Sequence, residues 1–320
     1  MKNKNGVMSV NAIIEKITEQ IQEGIYPGAS LALYRKGQWS EHYLGLADPE
    51  KGESVVADLV YDLASVSKVV GVATICAFLY AKGELALDRP FKEVYPRFAH
   101  EKTTIRELLT HTSGLDPFIP NRDQLDARQL KTALENLQLK EDKSFHYTDV
   151  NFLLLGFWLE DRFHQPLDRL FEELIFTPWK MTETRFGPVE KAVPTVRGLA
   201  SGSVHDPKAR VLGCHAGSAG LFSTVADLER FLEHYLKDDF ARDLSQNFAR
   251  EEGKTRALGW NLEGDWLDHT GYTGTFIMYN RKRQEAVIFL SNRTYEKDER
   301  AQWILDRNSL MDLIKQECEK

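Results

Sequence analysis

The chain has 320 residues, is 42% hydrophobic and 28% charged, and carries 41 Lys and Arg against 48 Asp and Glu, a net charge of −7. That length suffices for a packed core, sets a prior of two domains, and with an aromatic share of 11% excludes a disordered chain. The acidic balance gives no general attraction to phosphate backbones or anionic lipid, so neither nucleic acid nor a membrane is expected as a partner.

The first predicted element is an amphipathic helix, marked by Val10, Ile13, Ile14, Ile17 and Ile21 with Ser9 as N-cap. Lys2 and Lys4 precede it without an apolar signal segment, and the apolar stretch from Val69 to Ala81 is too short to span a bilayer. Cys76, Cys214 and Cys318 are odd in number and far apart, the usage of a reducing compartment, so a cytoplasmic location is expected. Pro27-Gly28 then opens a β-rich run, Ala29 to Arg35. Lys36-Gly37 turns it into a second strand, about Gln38 to Leu46. From Ser65 to Gly83 the residues are apolar nearly all round, the pattern of a helix buried at a domain centre.

Between Asp88 and Thr195 the pattern is helical. Short helices are expected after Thr104, over Arg122 to Gln138 and over Val150 to Phe163, with another opened by Pro166. The chain then reverts to a helix at Ser223 to Leu236 and strands at Thr275 to Tyr279 and Ala286 to Leu290. The basic triplet Arg281-Lys282-Arg283 is a solvated hairpin tip, and a closing helix follows over Asp298 to Cys318. The expected fold class is α/β (α+β): a central antiparallel sheet from both ends of the chain, flanked by helices. It forms one discontinuous domain (1–87 and 196–320), with an all-helical lobe (88–195) inserted and a cleft between the two.

Three short motifs carry chemistry. Ser65 and Lys68, at i and i+3, share a helix face at the start of the buried helix. A desolvated lysine there can accept the serine proton, and free N–H groups of the first turn favour developing negative charge. Tyr147-Thr148-Asp149 stands at a loop–helix junction, where a tyrosine can shuttle protons. Asp268-His269-Thr270-Gly271-Tyr272 precedes a β-run, where an edge strand can offer N–H groups to an oxyanion. Each has a bland reading as well: an N-cap serine, a buried aromatic beside an Asp cap, and an ordinary turn. Ala216-Gly217-Ser218-Ala219-Gly220 imitates a nucleophile elbow but lacks a proper strand before it and a helix directly after it. There is no HExxH, His/Cys cluster, P-loop or GxGxxG, so no metal and no cofactor are expected.

Taken in order, Ser65-x-x-Lys68, Tyr147-x-Asp149 and His269-Thr270-Gly271 resemble the SxxK, YxN and KTG motifs of the penicillin-recognising serine hydrolases, in the branch of the class C β-lactamases. The stretches Leu108 to Leu115 and His215 to Thr224 are also similar to that branch, and the resemblance runs from about Ile25 to Asn292. It implies a β-lactamase/DD-peptidase-like fold and an acyl-enzyme mechanism. Ser65 would be the nucleophile, Lys68 and Tyr147 would share the base and acid roles, and the backbone N–H groups of Ser65 and Tyr272 would form the oxyanion hole. Asp149, His269, Thr270 and Gly271 would bind substrate, while His111 and His215 are read as structural. The implied substrate is a small ester, an amide or a short D-amino-acid peptide.

Two departures qualify the resemblance. An ionised Asp149 can only accept hydrogen bonds, so it would hold Lys68 charged and repel a substrate carbonyl. His269 replaces a permanent cation with a side chain that titrates near neutrality, so activity is expected to depend on pH. The rival function is a degenerate module that binds an acyl or peptide ligand without turnover.

Overall fold

The computed structural model describes residues 10–250 and 255–319, so the expected Ser9 cap lies outside the described residues. The first helix spans Val10–Gln22. Among the described residues ten strands follow in chain order: β1 (Gly28–Arg35), β2 (Gln38–Asp48), β3 (Glu53–Ser54), β4 (Tyr61–Asp62), β5 (Arg185–Phe186), β6 (Leu221–Ser223), β7 (Asn261–Glu263), β8 (Trp266–Thr270), β9 (Phe276–Asn280) and β10 (Glu285–Ser291). Seven of them form an antiparallel sheet in the order β3-β2-β1-β10-β9-β8-β7, so the two ends of the chain meet at the β1–β10 pair, in register from Ala29↔Ser291 to Tyr34↔Ala286. The basic triplet is the turn between β9 and β10, as its polarity predicts.

Both faces of this sheet are covered, which is why β10 reads as an unbroken apolar run from Ala286 to Leu290. Ala32, Tyr34, Ala286, Ile288 and Leu290 face one core, shared with the central helix and the helix Val225–Lys237. Ala29, Leu31, Leu33, Val287 and Phe289 face the other, with Ile13, Ile17, Trp303, Leu310 and Ile314 of the terminal helices. This period of two is the pleat itself.

The central helical run winds unevenly: a 3₁₀ turn at Ala64–Val66, a π turn at Val69–Ala73, then an α-helix at Thr74–Ala81. Ala64–Ala81 is long and apolar enough by composition to cross a membrane, longer than the stretch judged from the sequence, but most of it is buried inside the fold. Against it packs the helix Val150–Phe163, buried from Val150 through Leu159.

Three expectations need correction. The Arg122 to Gln138 helix is broken: a 3₁₀ turn at Arg122–Gln124 precedes a helix that starts only at Ala127, where the Asp126 carboxylate accepts the Gln129 N–H at 2.8 Å. The 88–195 stretch is not all-helical, because β5 pairs with β6, and β6 with β4, in a small second sheet. Two-residue strands are too short to show a period. The His269 motif does not merely precede a strand: Asp268, His269 and Thr270 end β8, a strand between β7 and β9 and not an edge, and Gly271 and Tyr272 follow in the turn after it. The last β7 partner is Asn261↔Asp268, so only beyond Asp268 does the outer side of β8 open.

Candidate active site

Ser65 is presented by a strained turn. Ala64 has a φ of 45°, left-handed for a residue with a side chain, and its N–H is held by the Asp62 carboxylate at 2.8 Å. The other Asp62 oxygen accepts the His205 N–H at 2.7 Å, and burial pushes this carboxyl up to about 6. The first bond of the 3₁₀ turn runs from the Val66 N–H to Leu63 O, which leaves the Ser65 N–H free.

Lys68, fully buried, brings three donors to three acceptors: Ser65 Oγ at 2.8 Å, Asp149 Oδ1 at 2.7 Å and Ser218 O at 2.9 Å. Its Nζ lies 5.2 Å from the centre of the Tyr147 ring. Burial alone would lower the pKa of this ammonium, but Asp149 and Tyr147 together raise it above the ordinary lysine value. Burial likewise acts to raise the Asp149 carboxyl, yet Lys68 and Lys208 hold it well below the usual carboxylate range. Lys208 stands 3.2 Å from Asp149 Oδ2, so each carboxylate oxygen faces its own lysine. Ser218 serves by its carbonyl, and its own hydroxyl is buried without a partner. Its segment lies close to the Val150–Phe163 helix because Gly217 has no Cβ, which would sit 2.4 Å from Phe152 O.

The turn after β8 is latched to the Ser65 turn. Thr273 Oγ1 donates to Asp62 O at 2.9 Å and Thr275 Oγ1 to Leu63 O at 3.1 Å. Gly271 allows the approach: a Cβ there would sit 2.6 Å from Leu63 O. Among the described residues the Tyr272 N–H, like that of Ser65, has no hydrogen-bond partner, so both are free to face the cleft that the two residues line.

His269 is buried, with Nδ1 3.2 Å from Thr270 O and Nε2 without a partner. Burial, with Lys68 and Arg256 nearby, lowers its pKa well below 6.5, so it is neutral at physiological pH. The expected titration of this side chain near neutrality is therefore corrected: it is neither a cation nor a switch there. His111, also buried and neutral for the same leading reason, accepts from the Thr148 N–H at 3.4 Å and lies 3.2 Å from Asn151 Nδ2. Its ring is 4.6 Å from that of Tyr147, so it positions the motif. His215 is half-exposed and pairs with Glu160 at 2.5 Å.

Two clefts meet at Ser65. One, of about 770 Å³, runs past Asp149 and Lys208. The other, of about 320 Å³, runs past His269, Thr270 and Arg307, and none of its lining residues is acidic. Ser65, Tyr147, Tyr272 and Arg300 line both. Sequence reasoning missed Lys208, Arg307 and Arg256. Arg256 is buried, bonds the Asn261 side chain and Gly259 O, and lies 5.3 Å over the Phe145 ring, with burial pushing it down to about 10. None of the three has a local motif; only the missing cation at His269 and the surplus charge at Asp149 hinted that partners must come from elsewhere.

A family model described as Beta-lactamase matches residues 13–310. An Escherichia coli (strain K12) protein provisionally named a D-alanyl-D-alanine carboxypeptidase is 27% identical, the match covering 90% of this chain and 83% of that protein. Among solved structures, the Pseudomonas syringae beta-lactamase/D-alanine carboxypeptidase has a TM-score of 0.75 at 20% identity, covering 93% of this chain and 98% of its own. EstCE1, a hydrolase with promiscuous acyltransferase activity, has a TM-score of 0.74 at 19% identity, covering 95% and 97%. At such identities the structural likeness shows the fold, while the family model spans nearly the whole chain, both clefts and all three motifs included: the chain belongs to the beta-lactamase family, whose members are serine hydrolases.

Proposed function

We propose that this protein is a serine acyl hydrolase that works through an acyl-enzyme on Ser65. The observation that carries the reading is the bond from Lys68 Nζ to Ser65 Oγ at 2.8 Å, made while the other two lysine donors are also engaged. An ammonium so bound donates to the serine oxygen and cannot take its proton. The shared base role expected for Lys68 and Tyr147 therefore passes to Tyr147, the remaining proton acceptor lining both clefts beside Ser65.

The steps follow from this placement. The first requires Tyr147 as its phenolate, beside the Lys68 ammonium. The phenolate oxygen takes the Ser65 proton and becomes the phenol as Oγ bonds the substrate carbonyl carbon, and the carbonyl oxygen gains charge facing the Ser65 and Tyr272 N–H groups. Collapse breaks the ester or amide bond, with Tyr147 returning the proton to the departing oxygen or nitrogen. Water repeats the sequence on the acyl-enzyme, releasing the acid and restoring the Ser65 hydroxyl. Throughout, Lys68 stays charged and holds Ser65 in place.

The smaller cleft sets the substrate class. Arg293, Arg300 and Arg307 line it, and Arg307 also bonds Thr270 Oγ1 at 3.1 Å. Arg293 is balanced by Asp298 at 2.5 Å, but Arg300 and Arg307 have no salt-bridge partner among the described residues, so these two guanidinium groups suit a leaving part that ends in a carboxylate, as a short D-amino-acid peptide does. The charge that His269 lacks would thus come from the last helix. Binding without turnover is the second reading, and one observation favours it: a lysine locked as an ammonium removes one of the two candidate bases. A panel of a nitrophenyl ester, a chromogenic cephalosporin and a D-Ala-D-Ala peptide, run with wild type and Ser65→Ala, tests both. Turnover that vanishes in Ser65→Ala supports the hydrolase; turnover retained in Ser65→Ala refutes it, and a wild type that binds but never turns over favours the second reading.

A further inference from the structure

Asp149 poses a chemical problem that the fold answers. An asparagine two residues after Tyr147 could give Lys68 its oxygen and a substrate carbonyl its N–H; an aspartate can give only oxygen. Here Oδ1 is taken by Lys68 at 2.7 Å, and Oδ2 lies 3.2 Å from Lys208. Lys208 sits in the helix Pro207–Leu212, far along the chain, and its side chain is 14% exposed. Its other acidic neighbour, Asp206, is 3.6 Å away, too far for a good hydrogen bond, and turns its second oxygen to the Ala209 N–H at 2.8 Å. An ammonium has three N–H groups, so Lys208 keeps donor capacity, and it lines the larger cleft with Ser65.

We propose that Lys208 is the residue that binds the carbonyl of the substrate's acyl part, with Asp149 as its anchor. The pair Asp149 and Lys208 replaces one asparagine: the carboxylate receives Lys68, and the second lysine supplies the missing donor. Immediately around the donor, charge favours a neutral acceptor over an acid: Lys68 and Lys208 are matched by Asp149 and Asp206, while the unpaired cations of the two clefts, Arg210, Arg300 and Arg307, belong to other parts of their walls. The substrate class that follows is an N-acylated aminoacyl compound, with an amide carbonyl on the acyl side. This inference rests on Ser65 being the nucleophile.

The test compares p-nitrophenyl esters of N-acetylglycine and of acetic acid, which differ by an acyl-side amide. Wild type should prefer the first in kcat/KM. In Lys208→Met that preference should fall about tenfold, carried mainly by a higher KM. Lys208→Arg, which keeps a donor and a charge, should retain it, and Asp149→Asn with Lys208→Met should regain it because the asparagine brings its own N–H. An unchanged preference in Lys208→Met overturns the inference, as does a double variant no more selective than Lys208→Met alone. The two readings separate by mass spectrometry. Wild type that forms no Ser65 adduct with a fluorophosphonate overturns both, while a Ser65 adduct with unchanged preference in Lys208→Met overturns only this one.

Discussion

Replacing Asp149 by Asn should destabilise the protein, and by an amount that shrinks as pH rises. Lys68 is fully buried and 2.7 Å from the carboxylate, a gross attraction of about 6 kcal/mol at an effective dielectric of ~20. Desolvation of both ions cancels much of that, so the net loss on breaking the pair at pH 6 is expected near ~3–5 kcal/mol. In wild type the Asp149 pKa is lowered and the Lys68 pKa raised. The carboxylate's contribution is lost only in acid and the ammonium's only in base, so the pair's contribution is level between about pH 5 and 9. In Asp149→Asn, only Tyr147 is left to offset the burial of Lys68, so the pKa of this ammonium is expected to drop below its unfolded value. The unfolded chain then binds more protons than the folded one, so stability climbs with pH, by at most ~1.4 kcal/mol per unit. Urea unfolding of both proteins at pH 6 and pH 9 is the assay. A gap of equal size at both pH values, or below ~1 kcal/mol at pH 6, refutes the reasoning.

Other perturbations address other parts of the site. Arg307→Ala should raise KM about tenfold for a substrate ending in a carboxylate and much less for its methyl ester, as steady-state kinetics on the pair will show. Gly271→Ala places a Cβ 2.6 Å from Leu63 O and must push the Tyr272 N–H away from Ser65. It should lower kcat at least tenfold and stability by ~1–3 kcal/mol, read by kinetics and thermal unfolding. His269 and His111 both have lowered pKa values, so the unfolded chain takes up their protons first and stability should fall as pH drops below about 6.5. Ring-proton NMR shifts of His269 should stay constant from pH 6 to 8, and a midpoint inside that range contradicts its burial as the controlling cause.

What the sequence disclosed depended on how locally each feature is encoded. The helix Val150–Phe163 and the β1 and β10 strands carry long apolar patterns and were legible to within a residue or so. Ser65 and Lys68 were legible because helical spacing alone places i and i+3 together, and the structure puts their polar atoms 2.8 Å apart. β4, β5 and β6 are two or three residues long, and β7 and β8 mix Asn261, Glu263, Asp268 and His269 into the pattern, so no period emerged. Lys208, Arg307 and Arg256 were invisible for a different reason. Each acts on a residue distant in sequence, through a helix or turn whose placement follows from packing of the whole chain. The two motif departures were therefore legible as chemistry, but their compensation was not.

In the proposed mechanism Ser65 carries the acyl group while Lys68 remains an ammonium. Intact-mass and peptide-level mass spectrometry during turnover of a slow nitrophenyl ester tests it most directly. The expected result is a single acyl adduct on the Ser65 peptide, formed and lost with the turnover, absent in Ser65→Ala, and still formed by Lys68→Arg, which keeps a fixed cation, at a reduced rate. An adduct on any other residue, or turnover of the ester by Ser65→Ala at the wild-type rate, contradicts it.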